Sequence, residues 1–223
     1  MTTSYPVFPS RPTRSLVFAF GLALLTALTV VTTPRASAGQ EKLASSIRST
    51  RDEVIATRDQ LQATVDALAA LAKQKEGTLK PAYDTFVAEV GRAHAKATAT
   101  TARAAKMESE AKAHFGAWQK ELDSISSDSL RKKGQKRLDA VQKSYSKVAG
   151  SLGRAGTSFN PYLSDLDDIR KILANDLTPG GIRAIRNTVG SAKFNLKIVR
   201  GHLADAIEEL DRMQKSLSST AGG

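Results

Sequence analysis

Residues 138–173 read LDAVQKSYSKVAGSLGRAGTSFNPYLSDLDDIRKIL, and this stretch decides the fold. Leu138, Tyr145, Leu152, Phe159, Leu166 and Leu173 recur every seven residues. Val141, Val148, Ala155, Tyr162 and Ile169 follow the first five by three. That alternation puts eleven mostly apolar side chains on one narrow helical stripe. So long a stripe cannot stay in water, and the rest of the chain has to supply helices that cover it. Pro161 lies inside it, with Gly150, Gly153 and Gly156 upstream. The apolar period continues in phase through the proline, so a kink is expected there, not a stop.

Working outward, Ser126-Ser127-Asp128-Ser129 is rich in N-cap residues and starts this third helix. Before it, a second helix is expected from about Pro81 to Ile125. One row is Tyr83, Val90, Ala97, Ala104, Ala111, Trp118 and Ile125; the other is Val87, His94, Thr101, Glu108, Phe115 and Leu122. Its middle is almost all Ala and Thr, which buries little area, so this waist is expected to be the least stable part. A first helix runs from about Gln40 to Lys75, with Ile47, Val54, Leu61 and Leu68 alternating with Leu43, Thr50, Thr57, Thr64 and Leu71. Each threonine buried in that seam needs a partner for its hydroxyl, such as the carbonyl one turn back. Gly77 stops this helix. Downstream, Thr178 caps and Pro179 opens a fourth helix, counted by Ile182, Val189, Leu196, Leu203, Leu210 and Leu217 against Ile185, Ala192, Val199, Ala206 and Met213.

Short connections between long helices favour antiparallel neighbours. The expected fold is therefore all-α, an elongated antiparallel coiled-coil bundle of four long helices running up-down-up-down. Residues 39–217 form the rod and 218–223 a disordered tail. At 1.5 Å per residue the two central helices reach roughly 70 Å and the outer two roughly 55 Å.

The first 38 residues read differently. Arg11 and Arg14 precede an uncharged apolar run, Leu16 to Val31, followed by Pro34 and then Ala36-Ser37-Ala38. That is the layout of a secretory signal peptide cleaved after Ala38. The competing reading is an uncleaved membrane anchor, since the run approaches the lower limit for a span. The protein is expected to be exported, periplasmic or extracellular. Cleavage removes three of the 33 basic residues and none of the 22 acidic ones, so the charge falls from +11 to about +8. Export makes nucleic acid an unsuitable partner despite that charge.

Chemistry is scarce. The chain has no cysteine, hence no disulfide, thiolate metal site or cysteine nucleophile. His94, His114 and His202 form no metal-ligand spacing, and no nucleotide or nucleophile motif is present. His94 reads as a tolerated or hydrogen-bonded core histidine. Glu108 is either a buried acid or the sign that its row faces outward. No catalytic residue, metal, cofactor or small-molecule substrate is expected, and the protein is not expected to be an enzyme.

Charge is the remaining signal. From Arg131 to Arg154 the third helix carries eight basic residues against one acid, Asp139. Its end, and the end of the fourth helix, are acidic, while the start of the fourth is basic. Antiparallel packing sets basic halves beside acidic halves, which accounts for most of this charge as helix pairing. Arg131, Lys132, Lys133, Lys136 and Arg137 lie at a turn with no acidic block opposite, and are the candidate anionic-surface site. Phe194 and Ile198 fall off the fourth helix's stripe, one turn apart. They form a candidate partner face unless the bundle twists enough to cover them.

The chain resembles the bacterial family catalogued as domain of unknown function 2959, which comprises exported or lipid-anchored helical proteins. The similarity runs from about Lys42 to Met213. It is carried by Glu76-Gly77, Leu79 and Tyr83-Asp84, by Phe115-x-x-Trp118-x-x-Glu121-Leu122, and by Ser129-Leu130-Arg131. Tyr145, Pro161-x-Leu163 and Asn175-x-Leu177 complete it. Family members often have a Lys-His-Asn-Leu-Asn-like run where this chain has Ala174 in place of the histidine, so no role for that histidine carries over. The lipid-attachment cysteine of some members is absent. The resemblance implies a helical fold and export, and no mechanism.

The expected function is that of a non-enzymatic, exported coiled-coil structural or interaction protein of the cell envelope, with a protein partner or self-association. The alternatives are a peripheral binder of anionic membrane or surface polymer through residues 131–137, and a holdase-type chaperone.

Overall fold

The computed structural model describes residues 34–74 and 78–218. All of its regular structure is helical: α1 (Pro34–Leu71), α2 (Leu79–Asp123), α3 (Asp128–Asn175), α4 (Pro179–Ala184) and α5 (Arg186–Ser218). Four of these are long, with 38, 45, 48 and 33 residues. The expected signal segment lies outside the described residues as far as residue 33, and so do tail residues 219–223. Helix α1 already begins at Pro34, ahead of the expected start near Gln40.

The heptad rows explain which faces are buried. On α1, both rows have every member buried, the three threonines included. On α3, every member of the opening stripe is buried except half-buried Tyr145, and the helix passes unbroken through Pro161. The expected fourth helix is notched. Six residues of α4 end at Ile185, whose N–H still bonds Gly181 O while Val189 N–H bonds Ile185 O, so the chain resumes at once as α5. Thr178 caps it as the sequence predicts, its hydroxyl accepting from Gly180 and Gly181 N–H at 3.1 and 3.2 Å. Gly181 is required there: a Cβ would lie 1.9 Å from Asp176 O.

Helix α2 departs from expectation. Its buried residues are Leu79, Phe86, Val90, Ala93, Ala97, Thr100, Met107, Ala111, Phe115 and Leu122. Val87, His94, Thr101 and Glu108 are not among them. The second row is 79, 86, 93, 100 and 107, three residues after the first row instead of four. Phase then slips, with steps of four from Met107 to Ala111 to Phe115, because a straight helix at 3.6 residues per turn drifts against a seven-residue count.

Contacts between helices fix the order of packing. Along the α1–α2 seam, Glu53 pairs with Lys96 (3.0 Å), Thr57 with Thr100 (2.7 Å) and Gln60 with Glu89 (2.6 Å). Tyr83 donates to Arg170 O (3.0 Å), His94 meets Asp167 (3.0 Å) and Gln119 meets Gln135 (3.0 Å) across α2–α3. Gln40 reaches Leu217 O (3.0 Å), Arg51 reaches Asp211 and Arg200 reaches Gln62 across α1–α5. Across α2–α3 and α1–α5, numbering falls on one helix as it rises on the other; across α1–α2, residues 53–64 lie beside residues 89–100. Helix α1 packs on α2 and α5, and α3 on α2 and α5, closing a ring of four. Tyr162 crosses its middle: the ring is fully buried and its hydroxyl donates to Leu61 O at 2.8 Å. Burial raises that phenol's pKa far above its ordinary value.

Candidate functional site

The α2–α3 turn is built by local bonds. Ser124 folds back on Glu121 O (2.7 Å), and Ser127 caps α3, its hydroxyl accepting from Leu130 N–H. Gln119 and Gln135 join the two helices just inside the turn, where a Cβ on Gly134 would lie 2.3 Å from Leu122 Cδ2. The missing side chain lets α3 pass closely over Leu122. Behind this contact Phe115 meets Tyr145 edge to face, centroids 5.7 Å apart. Burial, with Glu108 adding to it, pushes the Tyr145 phenol up to about 12.

The five predicted cations of the turn divide into two groups. Arg131 donates to Ile125 O (3.1 Å) and pairs with Asp128, so it clamps the turn. Lys132, Lys133, Lys136 and Arg137 are exposed and form no ion pair among the described residues. Asp139, the one acid in the run, is held by Gln135 at 2.9 Å. Sequence reasoning missed Leu130, which is 59% exposed in the first turn of α3. It shares a flank with Lys133 and Arg137 at spacings of three and seven. The available signal was a leucine ahead of the heptad row, next to three successive cations, at a point where α2 has already ended.

The ion pairs do not form as helix pairing predicts. Only Arg51–Asp211, His94–Asp167 and Lys96–Glu53 cross between helices among the described residues, and none joins α3 to α5. The acids at the end of α3 form no ion pair with α5: Asp165 accepts from the neutral Asn195 of that helix (2.7 Å), while Asp167 and Asp168 pair with Arg170 and Lys171. Glu208 and Glu209 pair with Arg212 one turn on. Neighbours three and four apart lie closer than the facing helix, so they capture the charge first. The second candidate face is open: Phe194 is 64% and Ile198 38% exposed, so no twist of the bundle covers them.

Residues 36–217 match the family described as Protein of unknown function (DUF2959). The chain belongs to this DUF2959 family. No curated protein matches it. The match is wider than the stretch over which the resemblance was expected. Within this DUF2959 chain, several residues that carried the resemblance gather at the turn: Phe115, Trp118 and Leu122 on α2, Leu130, Arg131 and Tyr145 on α3. Ala174, in place of the family histidine, is exposed near the end of α3.

The other polar oddities have local explanations. Glu108 is exposed and paired with Lys112 at 2.6 Å. His94 is half exposed, bonded to Asp167 at the edge of its seam. His114 lies against Trp118 and Phe115, ring centroids 5.7 and 5.8 Å away, and burial lowers its pKa, partly countered by Glu121. No group of three or more metal-ligating side chains occurs among the described residues, and no helix there is long and apolar enough to cross a membrane. Between α2 and α3 a groove of about 510 Å³ is lined by Ala104, Glu108, Tyr145, Gly153 and Gly156, among others.

Proposed function

We propose that this DUF2959 protein is a non-enzymatic, exported interaction protein of the bacterial cell envelope. In this reading it is an antiparallel coiled coil of four long helices that seats its α2–α3 turn on an anionic surface, membrane or polymer. Support for the arrangement is the opposed numbering along the α2–α3 and α1–α5 seams. Support for export is the charged, apolar and small-x-small order of residues 11–38. The observation that carries the function is the exposed Leu130 beside Lys132, Lys133, Lys136 and Arg137, four cations without acidic partners among the described residues. Each cation near an anionic bilayer contributes about 1 kcal/mol. Burying one leucine adds roughly 2 kcal/mol. Together these correspond to affinities on the order of tens of micromolar. Binding of that strength is reversible and sensitive to salt.

The test is co-sedimentation with anionic and neutral vesicles at low and high salt. The reading requires binding to anionic vesicles that salt abolishes. Lys132→Glu with Lys133→Glu should remove it, and Leu130→Ser should weaken it without loss of helix. Equal binding to neutral vesicles, or none under any condition, would sink the surface reading.

A further inference from the structure

Helix α5 has a second face that the bundle leaves bare. Leu196, Val199, Leu203 and Leu210 are buried against α1 and α3. On the opposite side Gly190, Phe194, Ile198 and Gly201 form a stripe spaced by four, four and three. A Cβ on Gly190 or Gly201 would meet nothing within 4 Å, so the backbone is open to close approach beside two exposed apolar side chains.

The charges beside this stripe say what fits it. From Arg186 to Arg200 the helix carries only positive charge, and from Asp205 to Asp211 only negative. Lys193, Lys197 and Asp205 are exposed and unpaired among the described residues. Asp66 of α1 lies beside the two lysines, yet it is held by Gln62 at 2.9 Å. Arg212 offsets part of the acidic half by pairing with Glu208 and Glu209. A helix that is basic in one half and acidic in the other is complementary to its own reverse. Parallel pairing sets like on like.

We propose that the outer face of α5 is the interface of a symmetric dimer, two copies of this chain packing antiparallel across Gly201. Such an interface is isologous, with the same patch used twice. Centring it on Gly201 sets Lys197 opposite Asp205 of the second copy and brings the two bare backbones together. The C-terminal end of α5 lies at the same end as the α2–α3 turn, because Leu217 contacts Gln40 and Gly39 lies beside His114. The dimer therefore carries one basic turn at each end. It rests on α5 alone and stands whether or not the turn binds a surface.

Sedimentation equilibrium of the full-length protein tests this, with circular dichroism as the control for folding. The wild type shows a monomer–dimer equilibrium. Lys197→Glu and Asp205→Lys each weaken it roughly tenfold or more, and the double variant restores it because both contacts are re-formed with reversed sign. Gly201→Leu abolishes the dimer while helical content and melting temperature hold, since the monomer has room for the side chain. A wild type that stays monomeric at about 100 µM overturns the proposal, that being the weak limit for a specific dimer. So does a dimer indifferent to Gly201→Leu, or a double variant no tighter than the single ones.

Discussion

Helix α2 packs its small-residue middle against two neighbours with opposite results. Toward α1 the seam closes: Ala93, Ala97 and Thr100 are buried, and the Thr57–Thr100 hydroxyls bond at 2.7 Å inside it. Toward α3 the adjoining stretch, Thr100 to Glu108, faces Gly153 and Gly156, and a groove of about 510 Å³ remains. Small residues allow close approach on both sides. They produce it only where the facing helix supplies groups that reach across, here threonine hydroxyls and the buried residues beside them. The waist is therefore closed on its α1 side and open on its α3 side.

Truncations should expose this contrast most strongly. Phe86→Ala removes a fully buried ring from the core and should cost about 3–5 kcal/mol in chemical denaturation. Leu152→Ala, beside a groove already open, should cost about 2 kcal/mol. Equal losses would erase the distinction. Next come the hydroxyls. Thr100→Ala removes the shorter of the two bonds of the Thr57 hydroxyl, leaving only its 3.5 Å contact with Lys96 O, and should cost about 1 kcal/mol. Replacing both threonines with valine should be nearly neutral, because no buried polar group is then stranded. Thr101→Ala, on an exposed residue, should stay within about 0.5 kcal/mol.

Filling the open side should have the opposite sign. A Cβ at Gly153 or Gly156 meets nothing within 4 Å, so alanine there should stabilise by about 0.5–1 kcal/mol through helix propensity alone. A loss would mean that α3 closes on α2 in solution. The smallest effect depends on pH. Burial holds the His114 imidazole below its ordinary 6.5, so the unfolded chain takes up a proton that the folded chain refuses. Stability should be complete above that value and should decline as pH falls through the window below it. His114→Gln should flatten that slope in melts recorded across the range.

Most of the fold was legible because seven-residue rows on α1, α3 and α5 name the buried faces almost residue by residue. The second row of α2 was misread from Val87 to Glu108, since alanine and threonine give weak contrast and Phe86 and Met107 lie on the alternative phase, while its Phe115 and Leu122 are buried as expected. The notch at Ile185 was not expected, and neither was the close approach of Gly181 to Asp176 O in the turn just before it. At the turn, clustering of charge was visible in the sequence. The division of labour was not: Arg131 is spent on the carbonyl of Ile125, and Leu130 is exposed because α2 ends one turn too early to cover it. Pairing of α3 with α5 by charge was a reasonable expectation that lost to nearer neighbours on the same helix.

The proposed antiparallel order of the helices is open to direct test, because a chain without cysteine allows clean spin labelling. The direct measurement is the distance between labels at Lys80→Cys and Lys171→Cys, compared with Lys80→Cys and Arg137→Cys, by double electron–electron resonance. Antiparallel order predicts a short distance for the first pair and one of roughly 50 Å for the second, thirty-four residues of α3 at 1.5 Å each. The reverse order, with Lys80 near Arg137, would contradict it.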